Sequence, residues 1–564
     1  MTSQPTQMKG RTGLREWLTP RKLRQWREYL TAYLMVAPAT ILIFIFGIFP
    51  VAFALYMSLQ KWRLKRGDFL GLDNYTNAIG VLGYVLFFAL GVGLLVWAFF
   101  RFRSLYREFE GDRLHYWLLH VPGLLVAAAG FSLVRWVVTF FPNILDIANK
   151  ITGVEKTREL FVQLIGEALH TPEVLAARNL GLWLLAAAVL AMAAATWRWR
   201  STKSVQKQLE LALSWMLVAI GSASLYFVYA EMLRAYTEAV QTGADPGILP
   251  QFFSIVGGLL LIFVGWKIWD GASNQHSTVL FFLRLGGATV FLVGGWIMIG
   301  ELPVIVASGD EDLWMGLKNT LFYSLGTIPF QLSISMFLAV LLFQKLKGSQ
   351  FFRMVYFLPY VTPTVASAAV FRQLFSNRLQ APVNAFMRLL GLEPLGWLWE
   401  PKGVLTLMAN GLGIENWPTW AAGPSLALVV IIIYSIWVFV GYDTVIYLAG
   451  LSNIPNELSE AAEVDGANRW QIFKNITFPL LSPTTYFLTL IAIIGTFKAF
   501  NHIWIMRLDS ALGTADTFSV FIFLEFFEKL RYGYSSAMAI ILFVIILGLT
   551  YVNNRTQGQR VFYG

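Results

Sequence analysis

The chain is organised as long, nearly uncharged apolar runs separated by short polar segments, and not as alternating apolar and polar positions. A helix that crosses the hydrocarbon core of a bilayer needs about 20 mostly apolar residues. Twelve runs satisfy that requirement, and they cover residues 32–59, 81–100, 116–141, 180–197, 211–230, 249–269, 278–300, 320–343, 354–375, 424–449, 484–505 and 535–552. The pattern therefore predicts an all-α polytopic membrane protein with about 12 transmembrane helices.

Composition supports this fold class. Apolar residues make up 57% of the 564 residues and charged residues 13%, about half the share usual in soluble domains. About thirty polar and basic residues precede the first apolar run, Tyr33 to Leu59, which is too long for the core of a signal peptide. We therefore expect no cleavable signal and a first helix that stays in the membrane.

The sequence lacks the residues that several classes of chemistry require. There is no cysteine, which excludes disulfides, cysteine-ligated zinc, Fe–S clusters and thiol catalysis, and the five histidines show no metal-ligand spacing. The sequence contains no G-x-x-x-x-G-K-[ST] and no HExxH, and no Ser/His/Asp set is visible. We therefore expect a chain that is not an enzyme, and we attribute its net charge of +10 to cytoplasmic loops and not to nucleic-acid binding.

The distribution of basic residues predicts an orientation. With the N-terminus inside, the inner segments carry 23 of the 43 Lys and Arg residues and the outer loops carry 16. This bias favours both termini in the cytoplasm, although four basic residues in the outer loop 60–80 oppose it. Two outer loops are long: residues 142–179 contain an amphipathic helical stretch, Val154 to Ile165, and residues 376–423 contain four prolines. Each loop is either functional or simple packing across the mouth of the bundle.

The inner loop 450–483 carries the most informative local pattern. Pro455 suits the first turn of a helix, Gly466 suits its end, and a second helical stretch from Asn468 is expected to stop at Pro479. Small and acidic residues cover the first helix, namely Glu457, Glu460, Ala461, Ala462, Glu463 and Asp465. This shape suits a helix–turn–helix that enters a groove on a soluble partner, but it also suits an ordinary amphipathic interfacial loop.

Over about thirty residues the same loop resembles the EAA loop of binding-protein-dependent ABC importer permeases. Their pattern is Glu-Ala-Ala, two residues, Asp-Gly-Ala, and later an Ile and a Pro that ends the second helix. The resemblance implies that the loop docks into an ATPase subunit, where Glu460 meets a basic residue. It also implies that ATP and Mg²⁺ are bound by that partner and no cofactor by this chain. The docking and turn positions would be Glu457, Ala461, Ala462, Asp465, Gly466, Ala467 and Pro479.

Further segments resemble the carbohydrate branch of these importers, the maltose- and glycerol-phosphate-type permeases. They are Leu34 to Pro38, the sequence Gly71-Leu-Asp-Asn-Tyr75 (here the GLDNY box), Asn319 to Phe322, Phe351 to Pro359 and Gly533 to Met538. The resemblance implies a bacterial inner-membrane complex that imports a carbohydrate by alternating access. Its partners would be two ATPase subunits, a second permease in a heterodimer, an extracytoplasmic solute-binding protein and membrane lipid.

The resemblance covers residues 30–80 and 305–564 and is interrupted between them. We therefore divide the chain into a cytoplasmic segment (1–30), the first core helix and outer loop (31–80), an inserted membrane module with about six helices (81–308, here the insert) and five remaining core helices (309–564). An even number of inserted helices preserves the core topology. The insert is expected to be a scaffold; partner docking, lipid contact and regulation are the alternatives.

Four charged residues, Arg135, Arg284, Asp443 and Lys498, lie well inside predicted helices, where such residues usually face the bundle interior or snorkel. Arg135 and Arg284 lie near helix ends and are expected to snorkel. Asp443 and Lys498 lie on neighbouring core helices, where they either contact substrate, form a structural ion pair or sit apart at the rim. Aromatic side chains with hydrogen-bonding groups suit sugars. The candidate substrate pathway is therefore Tyr360, Thr364, Trp437, Tyr442, Asp443, Lys498, Asn501 and Trp504.

Two rival functions stay open from the residues alone. A twelve-helix secondary transporter would need coupling-ion residues and two comparable halves, and the two halves of this chain do not look alike. The other rival is a permease core fused to an unrelated membrane module.

Overall fold

A computed structural model describes residues 20–63, 65–108, 113–151, 157–199, 202–243, 248–272, 278–300, 309–344, 347–414 and 416–558. The chain forms two compact units, residues 1–57 and residues 58–564. The first unit contains helix α1 (Pro20–Ile43), a π-helical turn (Phe44–Ile48) and most of helix α2 (Phe49–Ser58). This stretch contains the first predicted membrane helix.

The second unit begins with a small hairpin and a short helix. Strands β1 (Gln60–Trp62) and β2 (Arg66–Phe69) pair antiparallel, and helix α3 (Asp73–Ile79) follows. The side-chain amide of Asn74 donates to the carbonyls of Ser58 and Gln60 at 2.8 and 3.0 Å. The GLDNY box is therefore bonded to the start of its own hairpin.

Six long helices form the insert, as the apolar runs predict. They are α4 (Leu82–Arg107), α5 (Arg113–Lys150), α7 (Pro172–Trp199), α8 (Thr202–Thr242), α9 (Ile248–Ala272) and α10 (Thr278–Ile299). The short amphipathic helix α6 (Arg158–Leu169) lies between α5 and α7 and overlaps the predicted stretch, Val154 to Ile165, of which residues 154–156 lie outside the described part of the chain.

Glycines bring pairs of insert helices into backbone contact. A Cβ on Gly91 of α4 would lie 3.0 Å from the carbonyl oxygen of Gly221 on α8, and a Cβ on Gly258 of α9 would lie 2.9 Å from the carbonyl oxygen of Gly295 on α10. Helices in lipid associate through such close packing because lipid tails are as apolar as their side chains. The pairs α4–α8 and α9–α10 are thus tightly joined.

The remaining helices follow the insert. They are α11 (Glu311–Phe343), α12 (Ser349–Val361), α13 (Thr364–Leu374), α14 (Pro382–Leu389), α15 (Val404–Gly411), α16 (Leu426–Ser452), α17 (Asn456–Val464), α18 (Arg469–Ile472), α19 (Phe478–Leu480), α20 (Ser482–Phe497), α21 (Asn501–Met506), α22 (Phe518–Phe523) and α23 (Tyr532–Thr556). π-Helical turns at Phe473–Thr477 and Leu524–Glu528 continue α18 and α22.

Two of the twelve predicted membrane helices are broken. Ten helices in the described residues are long and apolar enough to cross a membrane, and two bent pairs raise the number to at most twelve. The predicted run 354–375 is two helices, α12 and α13, that meet at 93°, because Thr362 precedes a proline and adopts extended backbone. The predicted run 484–505 ends early, at Phe497, and a 60° bend precedes it.

The insert and the core share one hydrophobic cluster. Its buried members come from α3, α4, α8, α9, α11, α20, α22 and α23, and they include Tyr75, Tyr84, Val228, Phe252, Leu313, Phe518 and Met538. Two further clusters join α11 to α16, one with α13 and α21 and the other with the start of α20. The insert is therefore packed into the fold and is not tethered beside it.

Candidate functional site

The loop between α16 and α20 (residues 454–480, here the coupling loop) is a projecting helix–turn–helix. Helix α17 begins after Pro455 and ends in a Schellman motif, in which the Gly466 and Ala467 amides donate to the carbonyls of Glu463 and Ala462 at 3.0 and 2.9 Å. Gly466 has a φ of +84°, a conformation that favours glycine. Gly466 therefore ends the helix as predicted, whereas Pro455, predicted in the first turn, lies one residue before the helix at its N-cap.

A capping box starts the second helix of the coupling loop. The Gln471 amide donates to the Asn468 side chain at 2.9 Å, and the Asn468 amide donates to the Gln471 side chain at 2.7 Å. The helical path then continues through the predicted stop at Pro479 and bends only at Leu481. Pro479 directly follows the π-helical turn Phe473–Thr477, so it lies where the regular α-helical hydrogen bonding is already interrupted.

The exposed side chains of the coupling loop suit a docking surface. Val464 is 88% exposed and Trp470 67%, although both are large and apolar. Large exposed apolar side chains that cluster beside charged groups mark interaction surfaces. The carboxylates of Glu457, Glu460, Glu463 and Asp465 form no ion pair within the described part of the chain. Both kinds of group are thus available to a partner.

The base of the coupling loop is buried. Leu451 before the loop and Leu481 after it are 4% and 0% exposed, and they lie in one cluster with Leu342 of α11. A Cβ on Gly450 would run into the side chain of Thr484, so α16 and α20 touch at this level. The base of the coupling loop is therefore packed directly against α11, α16 and α20.

Asp443 is a buried, hydrogen-bonded carboxylate. It is 3% exposed, and the Gln331 side-chain amide of α11 donates to it at 2.5 Å. Ser335 donates to the carbonyls of Gln331 and Val440, which completes a polar contact between α11 and α16. Lys498 is exposed at the end of α20, and no ion pair joins it to Asp443 in the described residues. The two charges therefore sit apart and have different surroundings.

The aromatic residues of the predicted pathway form separate groups. Tyr360 stacks on Tyr442 with ring centroids 4.5 Å apart, which joins α12 to α16. Trp437 lies 5.1 Å from Phe371, and Trp504 lies 4.7 Å from Phe523. Asn501 is exposed, whereas Thr364 is half-buried and its carbonyl accepts from Tyr434. Of the eight predicted residues, the structure thus brings only Tyr360 and Tyr442 into a described contact.

Glycine permits the close approach of α12 to α16. A Cβ on Gly441 would run into the backbone carbonyl oxygen of Tyr356, so α12 lies directly against α16 at this position. The Tyr360–Tyr442 stack lies beside this contact, four residues after Tyr356 on α12 and one residue after Gly441 on α16. Any motion between these helices must therefore slide across Gly441.

A buried hydrogen-bond network was not predicted. The Tyr323 hydroxyl lies 2.6 Å from the Ser435 hydroxyl and 2.9 Å from Nε2 of His502, which links α11, α16 and α21. Ser367 of α13 extends it through Tyr434, whose ring stacks on His502. His502 was visible in the sequence only as a polar residue in an apolar run, and nothing in its spacing indicated these partners.

A second unpredicted cluster fixes the GLDNY box to the insert. Arg234 of α8 donates to the Asp73 carboxylate at 2.7 Å and to the Leu70 carbonyl at 3.2 Å, and it pairs with the buried Glu231 at 3.1 Å. Gly71 has a φ of +58°, and a Cβ there would run into the Glu231 carboxylate. Burial raises the pKa of Asp73 above its usual value, and the Arg234 guanidinium limits that rise.

Comparisons with known proteins identify a family of transport proteins. A family model described as "Binding-protein-dependent transport system inner membrane component" matches residues 331–557, which include the whole coupling loop. The "Probable ABC transporter permease protein YesP" of Bacillus subtilis is 32% identical over 289 residues, which cover 50% of this chain and 84% of that protein.

Other relatives are described by their substrates. The "Lactose transport system permease protein LacF" of Rhizobium radiobacter is 31% identical, over 42% of this chain and 74% of its own. A solved bacterial alginate ABC transporter in complex with an alginate pentasaccharide-bound periplasmic protein has one chain that matches with a TM-score of 0.39 and 22% identity, over 51% of this chain and 96% of its own.

Proposed function

Because the chain belongs to the family of inner-membrane permease proteins of binding-protein-dependent ABC transporters, we propose that it forms the translocation pathway of an importer for a carbohydrate. The observation that carries this proposal is the coupling loop, an exposed helix–turn–helix whose base is buried against three membrane helices. ATP and Mg²⁺ bind to a separate ATPase subunit, and this chain holds no cofactor.

Coupling follows from the geometry of the loop. Exposed Val464 and Trp470 enter an apolar groove of the ATPase, and Glu460 pairs with a basic residue there. When the ATPase subunits close, the displacement of α17 passes through Leu451 and Leu481 to α11, α16 and α20. Alternating access then follows from movement of these helices, because well-packed elements shift as bodies and do not deform continuously.

Carbohydrate is the proposed cargo because relatives are described as lactose and arabinooligosaccharide permeases. The exposed aromatic side chains Tyr360 and Trp437 offer flat apolar surfaces to sugar rings, and the exposed Lys498 and Asn501 offer donors to hydroxyl or carboxylate groups. We assign Asp443 a positioning role, since it is buried and already bonded to Gln331.

The complex is proposed to contain two ATPase subunits, a second and different permease chain, and an extracytoplasmic solute-binding protein that docks on the loops opposite the coupling loop. Both termini and the coupling loop face the cytoplasm in this arrangement, in agreement with the excess of Lys and Arg in the inner segments. The GLDNY box then lies at the outer face.

The insert is proposed to be a scaffold for the outer end of the core. Arg234 and Glu231 of α8 hold the GLDNY box, and α3 in turn lies against the start of α11, where the Asp310 amide donates to the Ala78 carbonyl at 3.1 Å. An unrelated module fused to a permease would not need to share a hydrophobic cluster with the core helices. The stand-alone secondary transporter lacks support once the family is known.

The proposal is tested by co-expressing the chain with the ATPase, permease and binding-protein genes next to its own. We expect the ATPase to co-purify with the wild-type chain, and its transport-coupled turnover to fall at least tenfold with Glu460→Ala. Glu108→Ala, an exposed carboxylate at the loop-side end of α4, is the matched control and should change neither quantity. A stable chain that captures no ATPase would overturn the proposal.

A further inference from the structure

A small cavity lies at the end of α9 on the same side of the membrane as the coupling loop. Its volume is ≈ 380 Å³, and it is lined by Phe263, Val264, Lys267, Ile268, Gly271 and Arg284. In the proposed orientation the GLDNY box lies on the side of the membrane opposite the coupling loop. Helices α4, α5, α7 and α8 cross the membrane after the box, so α9 begins on the side of the box and ends on the side of the coupling loop. The cavity belongs to the insert and has no part in the coupling described above.

The two basic residues reach the membrane boundary. The Nη1 atom of Arg284 donates to the Gly271 carbonyl at 3.0 Å, which holds the guanidinium beside the last turn of α9. Lys267 lies five residues before the end of α9, a rise of about 8 Å. Exposed Trp266 and Trp269 on the same turns are typical of the level where lipid headgroups begin. Both cations can therefore extend to the depth of lipid phosphates.

These cations are available for a ligand. Neither has a carboxylate partner within 4.0 Å in the part of the chain that the structure describes; Lys267 lies over the Phe263 ring at 5.9 Å. Arg284 uses one donor on Gly271 and keeps others of its five N–H groups. Asp270 is the single acidic residue from Phe263 to Leu285, so the segment keeps a positive balance. A Lys or Arg near the membrane surface attracts anionic lipid by about 1 kcal/mol.

We propose that Lys267 and Arg284 bind the phosphate group of an anionic phospholipid in the leaflet on the coupling-loop side. Arginine binds phosphate through two parallel N–H donors, and lysine adds a point charge. Basic pockets between membrane helices on the cytoplasmic side suit such headgroups. The apolar wall formed by Phe263, Val264 and Ile268 lies against the first methylene groups of the acyl chain.

The test is native mass spectrometry of the purified chain after detergent exchange, with phosphatidylglycerol and phosphatidylcholine offered in turn. We expect the wild-type chain to keep phosphatidylglycerol, and the Lys267→Gln/Arg284→Gln variant to bind it about tenfold more weakly. Arg101→Gln/Arg103→Gln removes two cations at a similar depth of α4 and is the matched control, expected to stay within twofold of wild type.

Three results would overturn the proposal. They are equal retention of phosphatidylglycerol by the site variant, an equal loss in the control variant, and displacement of the lipid by millimolar inorganic phosphate alone, which would identify a free-anion site. If loss of the Arg284–Gly271 bond prevents the double variant from folding, the single variant Lys267→Gln replaces it in the test, because the exposed Lys267 side chain is not needed for folding. Lipid retention is measured without the ATPase, so failure here is distinct from failure of the coupling proposal.

Discussion

The guanidinium of Arg234 lies 2.7 Å from the carboxylate of Asp73, across 161 residues of sequence. This contact and the Arg234–Glu231 pair at 3.1 Å join the longest helix of the insert to the GLDNY box of the core. The box is therefore positioned by a part of the chain that lies outside the segments resembling other permeases.

Arg234→Met should destabilise the protein by about 2 kcal/mol, since removing one partner leaves the buried Glu231 carboxylate unpaired, while the half-exposed Asp73 pair contributes little. The measurement is the thermal unfolding of purified chain followed by tryptophan fluorescence. Arg178→Met is the control, because the Arg178 side chain is half-buried and, among the described residues, has a side-chain bond to Asn179 alone. An unchanged unfolding temperature in Arg234→Met would argue against the scaffold role of the insert.

Gly466→Ala should weaken coupling through backbone conformation alone. An added Cβ meets nothing within 4 Å, but the φ of +84° costs a residue with a side chain about 1 kcal/mol or more. We expect reduced capture of the ATPase by the altered coupling loop, measured by co-purification. Gly495→Ala is the matched control, because its Cβ also meets open space and its helical backbone accepts alanine. Equal behaviour of the two variants would contradict the importance of the turn.

Substitutions at Asp443 and at Lys498 should affect different properties, namely the stability of the protein at Asp443 and transport at Lys498. Asp443→Leu removes the acceptor for Gln331 in a buried site and is expected to lower stability by about 1–3 kcal/mol, whereas Asp443→Asn keeps the shape and much of the bonding. Because Lys498 is exposed, Lys498→Gln should leave the unfolding temperature unchanged, while it should raise the KM for uptake of the proposed sugar substrate. A transport defect in Asp443→Asn with full stability would instead make Asp443 a substrate contact.

Gly441→Ala should separate α12 from α16. The new Cβ would meet the backbone carbonyl of Tyr356, which cannot move as a flexible side chain can, so we expect a loss of about 1–3 kcal/mol from overpacking. The variant should also show lower uptake in reconstituted vesicles. Gly548→Ala on α23, where a Cβ meets nothing within 4 Å, should match the wild type in both assays.

The sequence indicated the membrane helices and the coupling loop because both signals are local. Apolar run length predicts a crossing helix, and the proline and glycine at positions 455 and 466 determine the ends of α17. The right-angle break before Pro363 was missed because run length contains no information about direction, although the proline itself was visible. A Pro after Thr in an otherwise apolar run was the signal that could have located it.

The arrangement of the pathway residues was less predictable. Asp443 and Lys498 look equivalent as lone charges in apolar runs, yet one is buried against Gln331 and the other is exposed. The partner of Asp443 is 112 residues away, and the partner of Asp73 is 161 residues away. Pairings at such separations depend on how whole helices pack, and no local pattern encodes them.

The bond from the Asp310 amide to the Ala78 carbonyl has a consequence for synthesis. A ribosome that adds 5–20 residues per second needs roughly 10–50 s to pass from α3 to α11, and the core cannot close during that time. Arg234 and Glu231 emerge within this interval, so α8 can secure the GLDNY box before α11 exists. The insert would then act as an internal chaperone for the helices that follow it.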